Sequence, residues 1–165
     1  MKKAAIILGS DSDLNAMQPA MDTLAALEIP YVVRIISAHR TPEAAARFAR
    51  SARDEGYGVI IAAAGKAAHL AGAMAANTIL PVVGVPMKSS TLDGLDALLS
   101  TVQMPSGMPV ATVAIDGAVN AALLAAQILA LSDGALAGRL ADYRAAQRAK
   151  VEEKDRQIFE AYSNL

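Results

Sequence analysis

Short apolar runs alternate with segments of helical periodicity along the whole chain. Residues 4–8, Ala-Ala-Ile-Ile-Leu, are uninterrupted and end at Gly9, which predicts a strand buried on both faces. Leu14, Met17, Met21 and Leu24 then recur at steps of three and four, the stripe of an amphipathic helix that Pro30 is expected to close. Residues 31–37 carry β-favouring types and predict a second strand. Thr41-Pro42-Glu43 reads as a helix start, with a hydroxyl to cap, a proline in the first position and an acid in the first turn. That helix is expected to reach about Glu55 and stop at Gly56. Val59 to Ala63, Val82 to Val85 and Val110 to Ile115 predict three more strands. Gly65 opens a short alanine-rich helix through Asn77, and Val119 to Leu131 predicts an apolar one. The stretch from Pro86 to Val110 reads as irregular. From Gly134 onward Leu136, Leu140 and Tyr143 keep a helical stripe, while charges dominate from Arg144 to Arg156. This predicts a long terminal helix, either packed on a neighbouring subunit or solvated on its own domain.

Strands that are apolar throughout and alternate with helices imply an α/β fold. Its central parallel sheet is covered on both faces, and right-handed crossovers make it a three-layer α/β/α sandwich. Nothing linker-like interrupts the series, so residues 1–165 are expected to form one domain, with 134–165 as a C-terminal helical extension. Such sheets bind ligands at the carboxyl ends of their strands. Four segments fall there: Ser10 to Asp13, Ser37 to Thr41, Gly65 to Gly72, and the loop after Pro86.

Composition sharpens this in two ways. Hydrophobic residues make up 54% of the chain before glycine is counted and charged ones 19%, against about 45–50% apolar for an average soluble domain with glycine included. The surplus suggests subunit interfaces, although alanine inflates the count while burying little area. A formal net charge of −1 offers no field for nucleic acid or an anionic membrane, and no apolar window is long enough for a membrane span. The apolar run at the amino terminus is too short for a signal peptide and is interrupted by Asp11 to Asp13. There is no cysteine, which suits a cytoplasmic protein and removes disulfides, thiolate metal sites and cysteine nucleophiles.

The candidate chemistry lies at the strand ends. Gly9-Ser10-Asp11-Ser12-Asp13 offers hydroxyls and backbone N–H groups at a helix start, suited to a phosphate or sugar or, equally, to simple capping. Two aspartates repel phosphate, so one of them should face ribose hydroxyls or cap the helix. In Ser37-Ala38-His39-Arg40-Thr41-Pro42, arginine supplies a planar fork for an oxyanion, and histidine exchanges protons near neutral pH. A histidine here is as often structural as functional, but its place at the sheet's ligand-binding edge favours function. Gly65-Lys66-Ala67-Ala68-His69-Leu70-Ala71-Gly72 carries the other histidine among residues small enough for a planar ligand, or for tight helix–sheet packing. Gln103 to Pro109 forms a Pro/Gly-fixed loop suited to a lid or an intersubunit contact. Fingerprints for dinucleotides, nucleoside triphosphates, zinc proteases and serine nucleophiles are missing, and two histidines without cysteine make a poor zinc site. No metal site is expected.

Four motifs in order, Gly-Ser-x-Ser-Asp, Ser-Ala-His-Arg-Thr-Pro, Ala-Gly-x-Ala-Ala-His-Leu and Val-Gln-Met-Pro-x-Gly-x-Pro-Val, resemble the class I N5-carboxyaminoimidazole ribonucleotide mutases over nearly the whole chain. The resemblance implies a cytoplasmic homo-octamer of flavodoxin-like subunits whose sites draw loops from more than one chain. It implies an isomerase of de novo purine (IMP) biosynthesis with no cofactor. The enzyme would move a carboxylate from the exocyclic nitrogen of the imidazole to ring carbon 4. By motif, Ser10, Asp13 and Arg40 should hold the ribose phosphate, with Ser12 and Ser37 nearby. His39 should be the general acid/base, with His69 and Gly65 lining the pocket for the base and for carbon dioxide, beside small apolar walls such as Ala67, Ala68 and Leu70. Many members have glycine at the position of Lys66 and proline at that of Ala71, and the stretch from Ile115 to Asn120 is shorter here. Lys66 could pair outward or add charge near the substrate carboxylate.

Two other readings remain. A related enzyme carboxylating aminoimidazole ribonucleotide directly with carbon dioxide should differ at the Ala67-Ala68-His69-Leu70 loop. A non-catalytic binding module on the same fold would want an aspartate after the third strand, where Ala62-Ala63-Ala64 stands, or aromatic rings for a flavin, which are scarce.

Overall fold

A computed structural model describes residues 1–163; Asn164 and Leu165, which the domain boundaries above include, lie outside the described residues. Five strands, β1 (Lys3–Leu8), β2 (Tyr31–Ile35), β3 (Tyr57–Gly65), β4 (Val82–Met87) and β5 (Ala111–Thr112), form one sheet in the order β2-β1-β3-β4-β5. Every pairing is parallel. The helices are α1 (Leu14–Ala26), α2 (Pro42–Ser51), α3 (Leu70–Ala75), α4 (Leu95–Val102), α5 (Ala118–Ala130) and α6 (Gly134–Tyr162). This is the expected flavodoxin-like three-layer sandwich with a long C-terminal helix.

The apolar runs are continuous because each central strand serves two cores. Ala4, Ile6 and Leu8 of β1 and Val59, Ile61 and Ala63 of β3 point to one face, where Met17, Met21 and Leu24 of α1 and the alanines of α5 cover them. Ala5, Ile7, Ile60 and Ala62 point to the other, against Phe48 of α2 and Leu70 and Met74 of α3. Successive strand residues face opposite sides, so a strand sandwiched between helix layers has no solvent face to keep polar.

Several elements differ from the sequence expectation. Helix α1 ends before Pro30 acts on it: Glu28 takes a left-handed φ of 55°, and Ile29 N donates to Leu24 O at 2.9 Å, closing the helix end. Leu14, read as part of the α1 stripe, is exposed. Pro19 sits inside this helix, where it forgoes one backbone donor. Helix α2 stops at Ser51, with turns carrying the chain to Gly56 at φ 85°. Strand β3 runs on to Gly65 and β4 through Pro86 to Met87, while β5 contracts to two residues at the sheet's edge.

The irregular stretch after Pro86 contains α4, which packs on β4 through Ala97 and Thr101. Its larger apolar residues Leu95, Leu99 and Val102 face outward, each 48% exposed, so it lacks the inward stripe of a core helix. Gly84 makes the packing possible, since a Cβ there would stand 2.5 Å from Thr101 Cγ2.

Helix α6 divides in two. Asp133 caps it by accepting from Leu136 N at 3.0 Å, and Leu136 is fully buried with Leu140 and Tyr143 packed beside it. Arg139 donates from Nε to Leu27 O at 2.9 Å and pairs with Glu28 at 3.5 Å, tying α6 to the end of α1. Beyond Arg144 nearly every side chain is exposed. Among the described residues no helix is long and apolar enough to cross a membrane.

Candidate active site

The sheet order creates the site. Helix α1 crosses from β1 to β2 on one face and α2 crosses back to β3 on the other, so a crevice opens between the carboxyl ends of β1 and β3. A cavity of about 670 Å³ occupies it, lined from four strand ends. Ser10, Ser12, Asp13, Ser37, His39, Arg40, Gly65 and His69 all face it, together with Lys66, Ala67 and Leu70. Ala68 does not line it; that side chain is buried beneath the loop.

In the first loop, Ser10 accepts from Ser12 N at 3.3 Å and from Ser12 Oγ at 2.9 Å, and donates to Asp11 Oδ1 at 3.1 Å. Capping and cavity lining therefore coexist at Ser10. Asp13 has no side-chain capping bond. Its carboxyl is pushed above the usual carboxylate range, first by burial and then by repulsion from Asp116 and Asp11, with the Ser12 hydroxyl offsetting only part of this. Asp116 is itself held in place by accepting from Lys88 N at 2.8 Å.

In the second loop, Thr41 does not cap α2 as expected. Its hydroxyl donates to Ser37 O at 2.9 Å and accepts from Ser37 N at 3.0 Å, stapling the loop shut. The capping role is displaced because the same hydroxyl closes the turn from Ser37 to Thr41. Ser37 Oγ accepts from Arg40 N at 3.1 Å and, more weakly, from Arg40 Nε at 3.5 Å. Arg40 Nη2 also reaches Gly9 O at 3.5 Å, so the guanidinium lies across the ends of β1 and β2.

The two histidines meet. His39 Nε2 lies 2.8 Å from His69 Nδ1, with the rings edge to face and their centroids 4.9 Å apart. One proton lies between the facing nitrogens, so the tautomer of one ring dictates that of the other. The strands bearing them are consecutive in the chain but not neighbours in the sheet: β1 lies between β2 and β3, and the loops bridge over its end. The pair is open to solvent in the single chain.

The sequence pattern points to the loop after Pro86 without singling out Lys88 or Ser89, both of which line the cavity. Their only signal is position at a strand's carboxyl end. Lys66 takes a left-handed φ of 53°, a conformation that glycine adopts freely and a side chain resists. The loop from Gln103 to Pro109 stays off the cavity within one chain. It packs on α3 instead, where a Cβ on Gly72 would come within 2.9 Å of Met104 Sδ.

A parallel flavodoxin-like sheet with a histidine pair, an arginine and clustered hydroxyls at its switch point has the layout of an α/β protein that takes its ligand at the strand ends. Residues 3–150 match the family model described as AIR carboxylase, and the chain belongs to that family. It is 59% identical over 152 residues to the N5-carboxyaminoimidazole ribonucleotide mutase of Brucella melitensis, covering 91% of this chain and 94% of that one. The protein of the same name from Pyrococcus horikoshii is 55% identical over 155 residues, covering 94% of this chain and 88% of that one. A crystal structure of Treponema denticola PurE superposes with a TM-score of 0.86 at 29% identity, covering 94% and 97% of the two chains.

Proposed function

We infer that this chain is an isomerase of purine biosynthesis that converts N5-carboxyaminoimidazole ribonucleotide to 4-carboxy-5-aminoimidazole ribonucleotide. The relatives named as mutases support this at 55–59% identity over nearly full length. So does the retention of Ala67-Ala68-His69-Leu70 in the third loop, and direct carboxylation by carbon dioxide is not favoured. The observation that carries the mechanism is the 2.8 Å contact between His39 and His69 inside a cavity walled by hydroxyls and an arginine.

The chemistry runs as follows. An imidazolium at His39 protonates the carbamate nitrogen. The carbon–nitrogen bond breaks with its electron pair staying on nitrogen, releasing carbon dioxide and an electron-rich aminoimidazole. Ring carbon 4 attacks the trapped carbon dioxide, and the proton on that carbon passes to the imidazole, which regains its starting state. No proton or electron is consumed overall. His69 sets the tautomer of His39 through their shared hydrogen bond. Leu70 and Ala67 give carbon dioxide an apolar wall, and holding both fragments in place replaces a bimolecular encounter. Arg40 and Ser10 hold the ribose phosphate with Ser12 and Ser37 nearby, and Gly65 leaves room for the base. Asp13 belongs to the same ribose phosphate site, where its carboxyl suits acceptance from ribose hydroxyls.

The same reading makes the chain one catalytic domain with a helical extension, assembled as a cytoplasmic homo-octamer. The outward stripe of Leu95, Leu99 and Val102, and exposed Val151, Ile158 and Phe159 on α6, support self-association. The cavity's openness to solvent supports a neighbour's loop completing it, since carbon dioxide must not escape.

The test is to supply N5-carboxyaminoimidazole ribonucleotide or aminoimidazole ribonucleotide with labelled bicarbonate and no ATP. A mutase gives unlabelled 4-carboxy product from the first. Rapid entry of label from the second would assign the carboxylase instead.

A further inference from the structure

Three cationic side chains line the cavity, and two of them are already engaged. Arg40 is held by Gly9 O and Ser37 Oγ at the ends of β1 and β2. Lys88 pairs with Asp93 at 3.4 Å. Lys66 makes no ion pair and no side-chain hydrogen bond among the described residues. It stands at the end of β3, three residues before His69, and its backbone is held at φ 53° despite the resistance of a side chain to that conformation. The cavity thus has an anchored cation at the ends of β1 and β2 and an unpaired one at the end of β3, in the loop that bears His69.

The reading above, on which this inference rests, gives the substrate two anionic groups, a phosphate on one end of the ribose and a carboxylate on the base. If Arg40 takes the phosphate, the base and its carboxylate extend toward the histidines, where Lys66 stands. We propose that Lys66 is a substrate-binding residue that recognises the carboxylate of the carboxylated ribonucleotides. An ammonium there attracts substrate and product alike but not neutral carbon dioxide. It therefore acts mainly on the KM of the carboxylated nucleotide and little on kcat.

The test is calorimetric titration of the full-length protein, wild type and Lys66→Met, with two probes: 4-carboxy-5-aminoimidazole ribonucleotide and aminoimidazole ribonucleotide, which lacks the carboxylate. Lys66→Met should weaken the first about five- to tenfold, as expected for losing one partly exposed charged contact, and leave the second unchanged. Lys66→Arg should restore the first. Equal weakening of both probes would move Lys66 to the phosphate, and no change in either would remove it from recognition; both outcomes overturn the proposal. Should Lys66→Met fail to fold, Lys66→Gly, which suits the left-handed backbone, answers the same question. The reaction itself is judged separately by wild-type turnover, so a mutase indifferent to Lys66 is distinguishable from a chain that is no mutase.

Discussion

The strand-end rim and the far half of α6 are both polar and exposed in the single chain, yet they are built differently. At the rim, side chains tie loops from distant parts of the chain to one another: His39 to His69 and Arg40 to Gly9. Beyond Arg144, the side-chain bonds of α6 stay within the helix, as in the Arg156 pairs with Glu153 and Glu160. Exposure alone therefore does not separate a site from a solvated surface. What separates them is whether residues from distant parts of the chain hold one another in place.

The largest effect that would test this contrast is at the histidine pair. His39→Asn should cut turnover by about 10²–10⁴-fold, the usual worth of a general acid/base, while a titration still detects nucleotide binding. Near-normal turnover would take His39 out of the mechanism. Within α6, Leu136→Ala should destabilise the fold by about 2–5 kcal/mol in urea unfolding, because that side chain is fully buried. Phe159→Ala, on the exposed half, should leave protomer folding alone and instead lower the assembled mass seen by light scattering. A wild-type monomer mass would remove the oligomer.

Arg40→Ala should weaken binding of the phosphorylated nucleotide about 10- to 100-fold, as for a charged hydrogen-bonding partner; an unaltered dissociation constant would refute the phosphate assignment. The smallest effect concerns Asp13. Its folded pKa is raised, so its contribution to stability is full below the unfolded pKa and lost as pH rises through the folded value. Asp13→Asn should therefore raise Tm slightly at neutral pH and match wild type in acid. A lowered Tm at pH 7 would contradict the burial argument.

The layered fold was legible because period-two strands buried on both faces and period-3.6 helices leave distinct traces, as in residues 4–8 and the Met17, Met21, Leu24 stripe. The cavity residues from the first three loops were legible as strand-end motifs, whereas Lys88 and Ser89 were not. Helix α4 was not, since Leu95, Leu99 and Val102 turn outward and its buried residues are the small Ala97 and the polar Thr101. The role of Thr41 was not legible because a cap and a loop staple use the same hydroxyl oxygen, and local sequence does not state which backbone N–H it will accept from.

By itself the sequence determined the sheet's strands, the helices of its covering layers and the chemical types at its edge, because those follow from local periodicity and side-chain chemistry. Only the tertiary structure decided that β1 stands between β2 and β3, that His39 and His69 come within 2.8 Å of each other across its end, and that Asp13 is desolvated beside Asp116. Those are distances between residues far apart in the chain. They are set by how two helix layers cross over one sheet, which no local pattern encodes.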